Sequence, residues 1–371
     1  PLKLNIVKKD IIMPLPFLLI GAAAAATAVG AKKAYDGHKK KNDADEILVK
    51  AKDRYTKYRN SLDKANEDAS FSLEKLGDLE LRIGADFAKF DKLIEEILQN
   101  NNFKKLGNIT LDIPQHKLNQ IKEVAISATD YLKTVVAGGV SGAATGFAVY
   151  GGVLALGAAS TGTPIAALSG VAAYNATMAA IGGGSLAAGG WGMAGGAMVL
   201  GGAVVAPVLA VAGIAYGMHG SKALKNAEDV EKQVERAVST MAKAKRQLVN
   251  VNYYSEQIKA ELEKIYEVFG LYVYKLQEVN EIVKKGDEEK IIAIVEEANL
   301  TIQNGISLAA IMAKLISKPL FKLKVDIDGK ILIDKDGNPE ILTDKDGMQV
   351  LDKEGLTEIL EETKQNFKAA N

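Results

Sequence analysis

From residue 230 to 283 the apolar positions step by three and four without a break, through Met241, Leu248, Leu262, Phe269 and Leu276. Each position on that seam is apolar or tyrosine except Ser255. A seam of this period is the face a helix turns towards a coiled-coil partner. It predicts one helix from about Ala227 to Val283. Earlier in the chain Leu48, Ala51, Tyr55, Tyr58, Leu62, Ala65 and Ala69 follow the same rule. The pattern stutters over 73–79 and resumes through Ile83, Phe87, Phe90, Ile94 and Ile97, which predicts a helix over about 44–98. Asn100-Asn101-Asn102 closes it, residues 107–114 read as a connector, and another helix starts near Gln115. The simplest arrangement folds these helices antiparallel on one another within the chain. Pairing with a second copy through the seam is the alternative.

Lys284-Lys285-Gly286-Asp287 marks a stop followed by a start. Cations occupy the last turn, glycine follows it, and aspartate caps the next helix. That helix is expected over about 288–316, packed on the bundle and ending before Pro319. The period then drops to two: Phe321, Leu323, Val325 and Ile327 alternate before Asp328-Gly329 and Ile331-Leu332-Ile333. Asp-Gly between such runs is a strong hairpin signal. Two more Asp-Gly pairs, at 336–337 and 346–347, predict a three-stranded meander before a last helix over 353–369. A calcium loop of the EF-hand kind needs glycine sixth and glutamate twelfth; here glycine comes fourth.

Between these patterned regions lies a stretch with no heptad and no charge. Residues 134–221, 88 in all, contain no Asp, Glu, Lys or Arg and hold 22 of the 35 glycines and the one tryptophan, Trp191. The remainder of the chain carries every charge. Gly138, Gly142 and Gly146 recur every four residues, as do Gly192/Gly196 and Gly213/Gly217. Small residues at that spacing let helix backbones approach closely, which is how helices associate in lipid. Breaks at 161–164 and 182–184 leave apolar pieces over about 135–160, 163–182 and 191–218. Each is long enough to cross a hydrocarbon core of roughly 30 Å. Their apolarity is mild, so insertion is permitted but not compelled; a buried glycine-rich core is the competing reading.

A second uncharged run spans the 21 residues between Asp10 and Lys32. Met13 opens its apolar part, and Lys32, Lys33 and Lys39 to Lys41 follow it. It reads as a retained anchor with its lysine-rich side cytoplasmic, a cleaved signal peptide being the alternative.

Composition narrows the chemistry. At 371 residues, two or three domains are expected. Net charge is zero, so nothing attracts nucleic acid. There are no cysteines, and His38, His116 and His219 have no metal-ligand spacing. Lysine far outnumbers arginine, 41 to 5, a usage associated with bacteria of AT-rich genomes. No phosphate loop, H-E-x-x-H or serine triad pattern is present, and the paired glutamates lie on charged helical faces. An enzyme is not expected, nor is a cofactor.

The run Ser160-Thr161-Gly162-Thr163-Pro164-Ile165-Ala166-Ala167-Leu168-Ser169-Gly170-Val171-Ala172-Ala173-Tyr174-Asn175-Ala176-Thr177, with Gly182-Gly183-Gly184-Ser185-Leu186-Ala187-Ala188-Gly189-Gly190, resembles a widespread set of bacterial glycine-zipper proteins. The opening over 13–41 is similar to theirs as well. That resemblance implies bacterial membrane association. In layout, an apolar head between long heptad helices resembles alpha-helical pore-forming toxins of the cytolysin A and haemolysin BL type, though a secreted toxin would not usually keep an anchor.

The expected fold is therefore all-α: a long antiparallel coiled-coil or helical bundle, an apolar glycine-zipper helical head and a small C-terminal β-meander. The expected division is an anchor over 1–41, stalk helices over 42–133, a membrane-inserting head over 134–221, stalk helices over 222–318, and the meander with its last helix over 319–371. Gly138, Gly142, Gly146, Gly192, Gly196, Gly213, Gly217 and Trp191 are the residues expected to pack and insert the head. The expected partners are a lipid bilayer, further copies of the chain, and a protein recruited through the stalk. The expected location is a bacterial inner membrane or a target membrane. The function expected is bilayer insertion, with pore formation as its strongest form; the alternative is an anchored scaffold that recruits partners and forms no pore.

Overall fold

The computed structural model describes residues 31–101, 103, 115–135, 144–150, 220–332, 340–345 and 348–370. These residues are mostly helical. Six helices are found among them: α1 (Ala31–Gln99), α2 (Gln115–Val135), α3 (Ala144–Tyr150), α4 (Gly220–Lys285), α5 (Glu288–Ile316) and α6 (Lys353–Ala370). The heptad patterns and the stop signals locate these ends well. Two boundaries move: α1 is already helical at Ala31, so the lysines that were expected to follow an anchor lie within it, and α4 starts at Gly220 rather than near Ala227.

The α4 seam is buried as its period requires. Every seam position from Val230 to Val283 is buried except Tyr272, which is half-buried. The join from α4 to α5 also forms as read. Gly286 adopts a left-handed φ of 72°, which glycine tolerates without strain. Asp287 then caps α5, its Oδ1 accepting from the Lys290 N–H at 3.3 Å.

The chain divides into two compact units, one of 1–62 with 204–243 and one of 63–203 with 244–371. In the first, the opening of α1 lies along the opening of α4. Ala44, Ala51, Tyr55 and Leu62 are buried, as are Ala227, Val230, Val234 and Met241. Arg54 meets Glu235 at 3.5 Å, and Lys50 feels the charge of Glu231. Both pairs run forward together, so the two helices point the same way.

The second unit shows the same sense within itself. Tyr266 donates to Asp86 Oδ2 at 2.5 Å, and Asn280 donates to Glu96 Oε2 at 2.8 Å. These partners lie 180 and 184 residues apart in sequence. A near-constant offset is the mark of parallel helices; antiparallel ones would give a falling partner number. The antiparallel pairing of α1 with α4 is thus corrected. The helices that do run against α1 are α2, whose Lys122 lies 3.7 Å from Asp91 while Ala128 lies over Gly84, and α5, whose Glu297 and Asn304 meet Lys275 and Tyr272 of the parallel α4. The core of this unit centres on Phe269, which Phe87 and Phe90 meet edge-on at 5.6 and 5.0 Å. Helix α5 packs on both α2 and α6.

Beyond α5 the alternating residues form isolated antiparallel bridges, and no continuous strand is found among the described residues. Phe321, Leu323 and Val325 bridge Leu351, Ile341 and Ile331, partners that fall ten residues apart. Backbone hydrogen bonds close these contacts into two rings. Lys324 N–H donates to the Glu340 carbonyl, Glu340 to Leu332, and Leu332 to Lys324, at 2.7, 2.8 and 2.9 Å. Lys322, Val350 and Leu342 repeat the ring at 2.8, 2.8 and 2.7 Å. The aspartates hold the turns: Asp326 Oδ1 accepts from the N–H groups of Asp328 and Lys330, and Asp344 Oδ1 from that of Met348. Gly329 completes the first turn at φ 80°.

Candidate functional site

The described part of the uncharged stretch is its entry, where α2 gives way to α3. Helix α2 is amphipathic, with Ile121, Val124, Ala125 and Ala128 buried and Lys122, Glu123 and Asp130 exposed. Its hydroxyls are satisfied locally: Ser127 donates to the Glu123 carbonyl at 2.6 Å and Thr129 to that of Ala125 at 2.7 Å. In α3, Ala144, Phe147, Ala148 and Val149 are all buried, and the Val149 carbonyl accepts from Leu320 N–H at 3.2 Å. The first apolar piece, over about 135–160, was read as long enough to cross a membrane, with insertion permitted but not compelled. Of it, Val135 ends α2 and Ala144–Tyr150 is a helix of 7 residues whose Ala144, Phe147, Ala148 and Val149 are buried.

Both entry helices meet α1 at a glycine. A Cβ on Gly84 would collide with the Ala128 side chain and stand 3.1 Å from the Val124 carbonyl. A Cβ on Gly77 would collide with the Ala144 carbonyl, whose carbon lies 2.5 Å away. The two glycines are two turns apart, so they share one face of α1. Between them sits Glu80, 2% exposed, whose Oε2 finds no hydrogen-bond partner. Burial pushes its carboxyl well above the ordinary 4.5. Nearby in sequence, Asp86 holds the Tyr266 hydroxyl, whose loss of a proton is pushed up to about 12 by burial and by that bond.

This arrangement holds an apolar segment on a helix; it presents no nucleophile with a base. No group of three metal-ligating side chains is found among the described residues. Of the residues expected to pack the head, Gly146 lies on α3. Gly138, Gly142, Trp191, Gly192, Gly196, Gly213 and Gly217 lie outside the described residues, as do the anchor residues up to Gly30. Sequence reading missed Gly77, Gly84 and Gly305. The available signal was a lone glycine inside a strong helical pattern, which costs about 1 kcal/mol against alanine and so points to a packing reason. Glu80 also left a trace, as the one charge in Leu79-Glu80-Leu81 at the heptad stutter.

No helix among the described residues is long and apolar enough to cross a membrane. No protein-family model, curated protein or solved structure matches the chain.

Proposed function

We propose that the chain is a membrane-associated bacterial protein whose glycine-rich uncharged stretch inserts into a bilayer. The observation that carries this reading is the charge map: 88 consecutive residues without a charge, in a chain otherwise about one-third charged. A water-facing domain of that length would expose far more apolar surface than soluble proteins tolerate. Repeated small residues at i and i+4 suit helix association in lipid, and oligomerisation of the inserted segments would open a pore. The same features support the likeness to glycine-zipper proteins and the layout of alpha-helical toxins. The seam of α4 supports a coiled coil with α1, and the bridged C-terminal region supports a compact meander.

The second reading is an anchored scaffold, supported by the run before Lys32 and the long charged faces of α1 and α4. Release of a trapped dye from liposomes by the full chain tests the two. Dose-dependent release supports the pore, and binding without release supports the scaffold. Gly142→Leu should weaken assembly and release while leaving the helical bundle folded. Unchanged release by that variant would remove the zipper from the account.

A further inference from the structure

Glu80 lies between the two glycines on which the entry helices rest, and it is buried with one carboxylate oxygen unpartnered. A buried ionised carboxylate without a partner is costly, whereas a neutral carboxyl is tolerated. Burial alone raises the Glu80 carboxyl, with no neighbouring charge contributing, and the charged groups on the helices of this unit are paired with one another or exposed. On α4, Glu261 meets Lys264 at 2.9 Å and Lys364 at 3.8 Å, and Tyr266 donates to Asp86. On α2, Lys122 faces Asp91, and Glu123 and Asp130 are exposed. On α5, Lys314 holds Glu362, while α3 carries no charged residue. On α1 itself Asp78 and Arg82 are exposed.

We propose that Glu80 is a proton-held latch on the entry to the uncharged stretch: with its carboxyl neutral, α2 and α3 stay packed on α1, and ionisation of that carboxyl releases them. As a regulator of insertion, the latch rests on the membrane reading above; as a packing device it stands alone. The sign follows from burial. The packed state raises the carboxyl above its ordinary 4.5, so it binds the proton more tightly than the released state does. Packing is strongest below pH 4.5 and weakens as pH rises. The loss is about tenfold in the equilibrium per pH unit, until the packed carboxyl itself titrates.

Amide hydrogen exchange on the full chain, corrected for intrinsic rates, reads this directly. Between about pH 5 and pH 8 the amides of 121–128 and 144–150 should lose protection while those of α4 and α5 keep theirs. Glu80→Gln should hold α2 and α3 protected at both ends of that range; Glu80→Met, also neutral and of similar length, replaces it if the glutamine variant does not fold. Protection that does not change with pH in the unaltered chain, or that falls equally in the neutral variants, overturns the latch. Dye release from vesicles at the same pH values separates the two proposals. Lost protection without release sinks the pore and keeps the latch; release with protection unchanged does the reverse.

Discussion

Ser255 occupies the single polar slot in the α4 seam, fully buried with its hydroxyl lacking a partner. An unsatisfied buried group costs about 1–3 kcal/mol, so Ser255→Ala should raise stability by about 1 kcal/mol in denaturant unfolding. A clear loss would mean that the hydroxyl has a role in the bundle. The glycines give a sharper contrast. Gly77→Ala drives a methyl into the Ala144 backbone, which cannot yield as a side chain would, and should cost about 1–3 kcal/mol. Gly270, inside α4, faces open space; Gly270→Ala should gain about 0.5–1 kcal/mol from helix propensity alone. Equal effects at the two sites would contradict the close approach of α3 to α1. Tyr266 offers a pH test. Its hydroxyl ordinarily titrates at 10.0 and is raised to about 12 in the folded chain. The stability this represents is fully present below pH 10 and is lost as pH climbs from 10 to 12. Tyr266→Phe should remove that part of the alkaline dependence, measured as unfolding midpoint against pH.

Among the elements, α4 was the most legible, because its three-four period survives about eight heptads and each apolar position needs a cover. Leu262 in that seam is fully buried, and Leu262→Ala should cost about 2–5 kcal/mol. The α4–α5 join was legible for a local reason: cations, a glycine and an aspartate each meet a need of the backbone at that point. Asp287→Ala should cost about 0.5–2 kcal/mol and fray the start of α5, seen as faster amide exchange over 288–291. The direction of α4 along α1 was not legible. A seam reads the same in parallel and antiparallel pairs, and the choice is made by the connection between the helices. Here that connection includes α2, which runs against α1, and the uncharged stretch. The C-terminal region was half legible. Asp328-Gly329 placed the first turn, while the pairs at 336–337 and 346–347 lie outside the described residues, and a plain meander does not contain the two backbone rings. Those depend on Phe321, Leu323 and Val325 each meeting a different ten-residue step of the chain.

At the scale of the whole molecule the sequence marks off the uncharged stretch, yet its first described helix is protein-bound. That changes which substitutions inform on insertion. Val149→Arg would disrupt a buried residue whose carbonyl holds Leu320, so its effect would report on the bundle rather than on lipid. The candidate site as structure draws it, with Gly77, Glu80 and Gly84 under α2 and α3, was invisible to period counting because two of its residues are glycines and the third is charged, so none counts as an apolar seam position. The central claim concerns the later apolar pieces, and flotation of the full chain with lipid vesicles addresses it most directly. Ala179→Arg and Leu200→Arg are compared there with Ile126→Arg, a control at an exposed position of α2. An arginine at a bilayer centre costs roughly 2.5–3.5 kcal/mol, a factor of about 70 to 400 in the inserted population. The account predicts that the unaltered chain and Ile126→Arg float together while both other variants fall away by that factor. An unaltered chain that stays with the aqueous fraction, or Ala179→Arg and Leu200→Arg floating as it does, would contradict insertion.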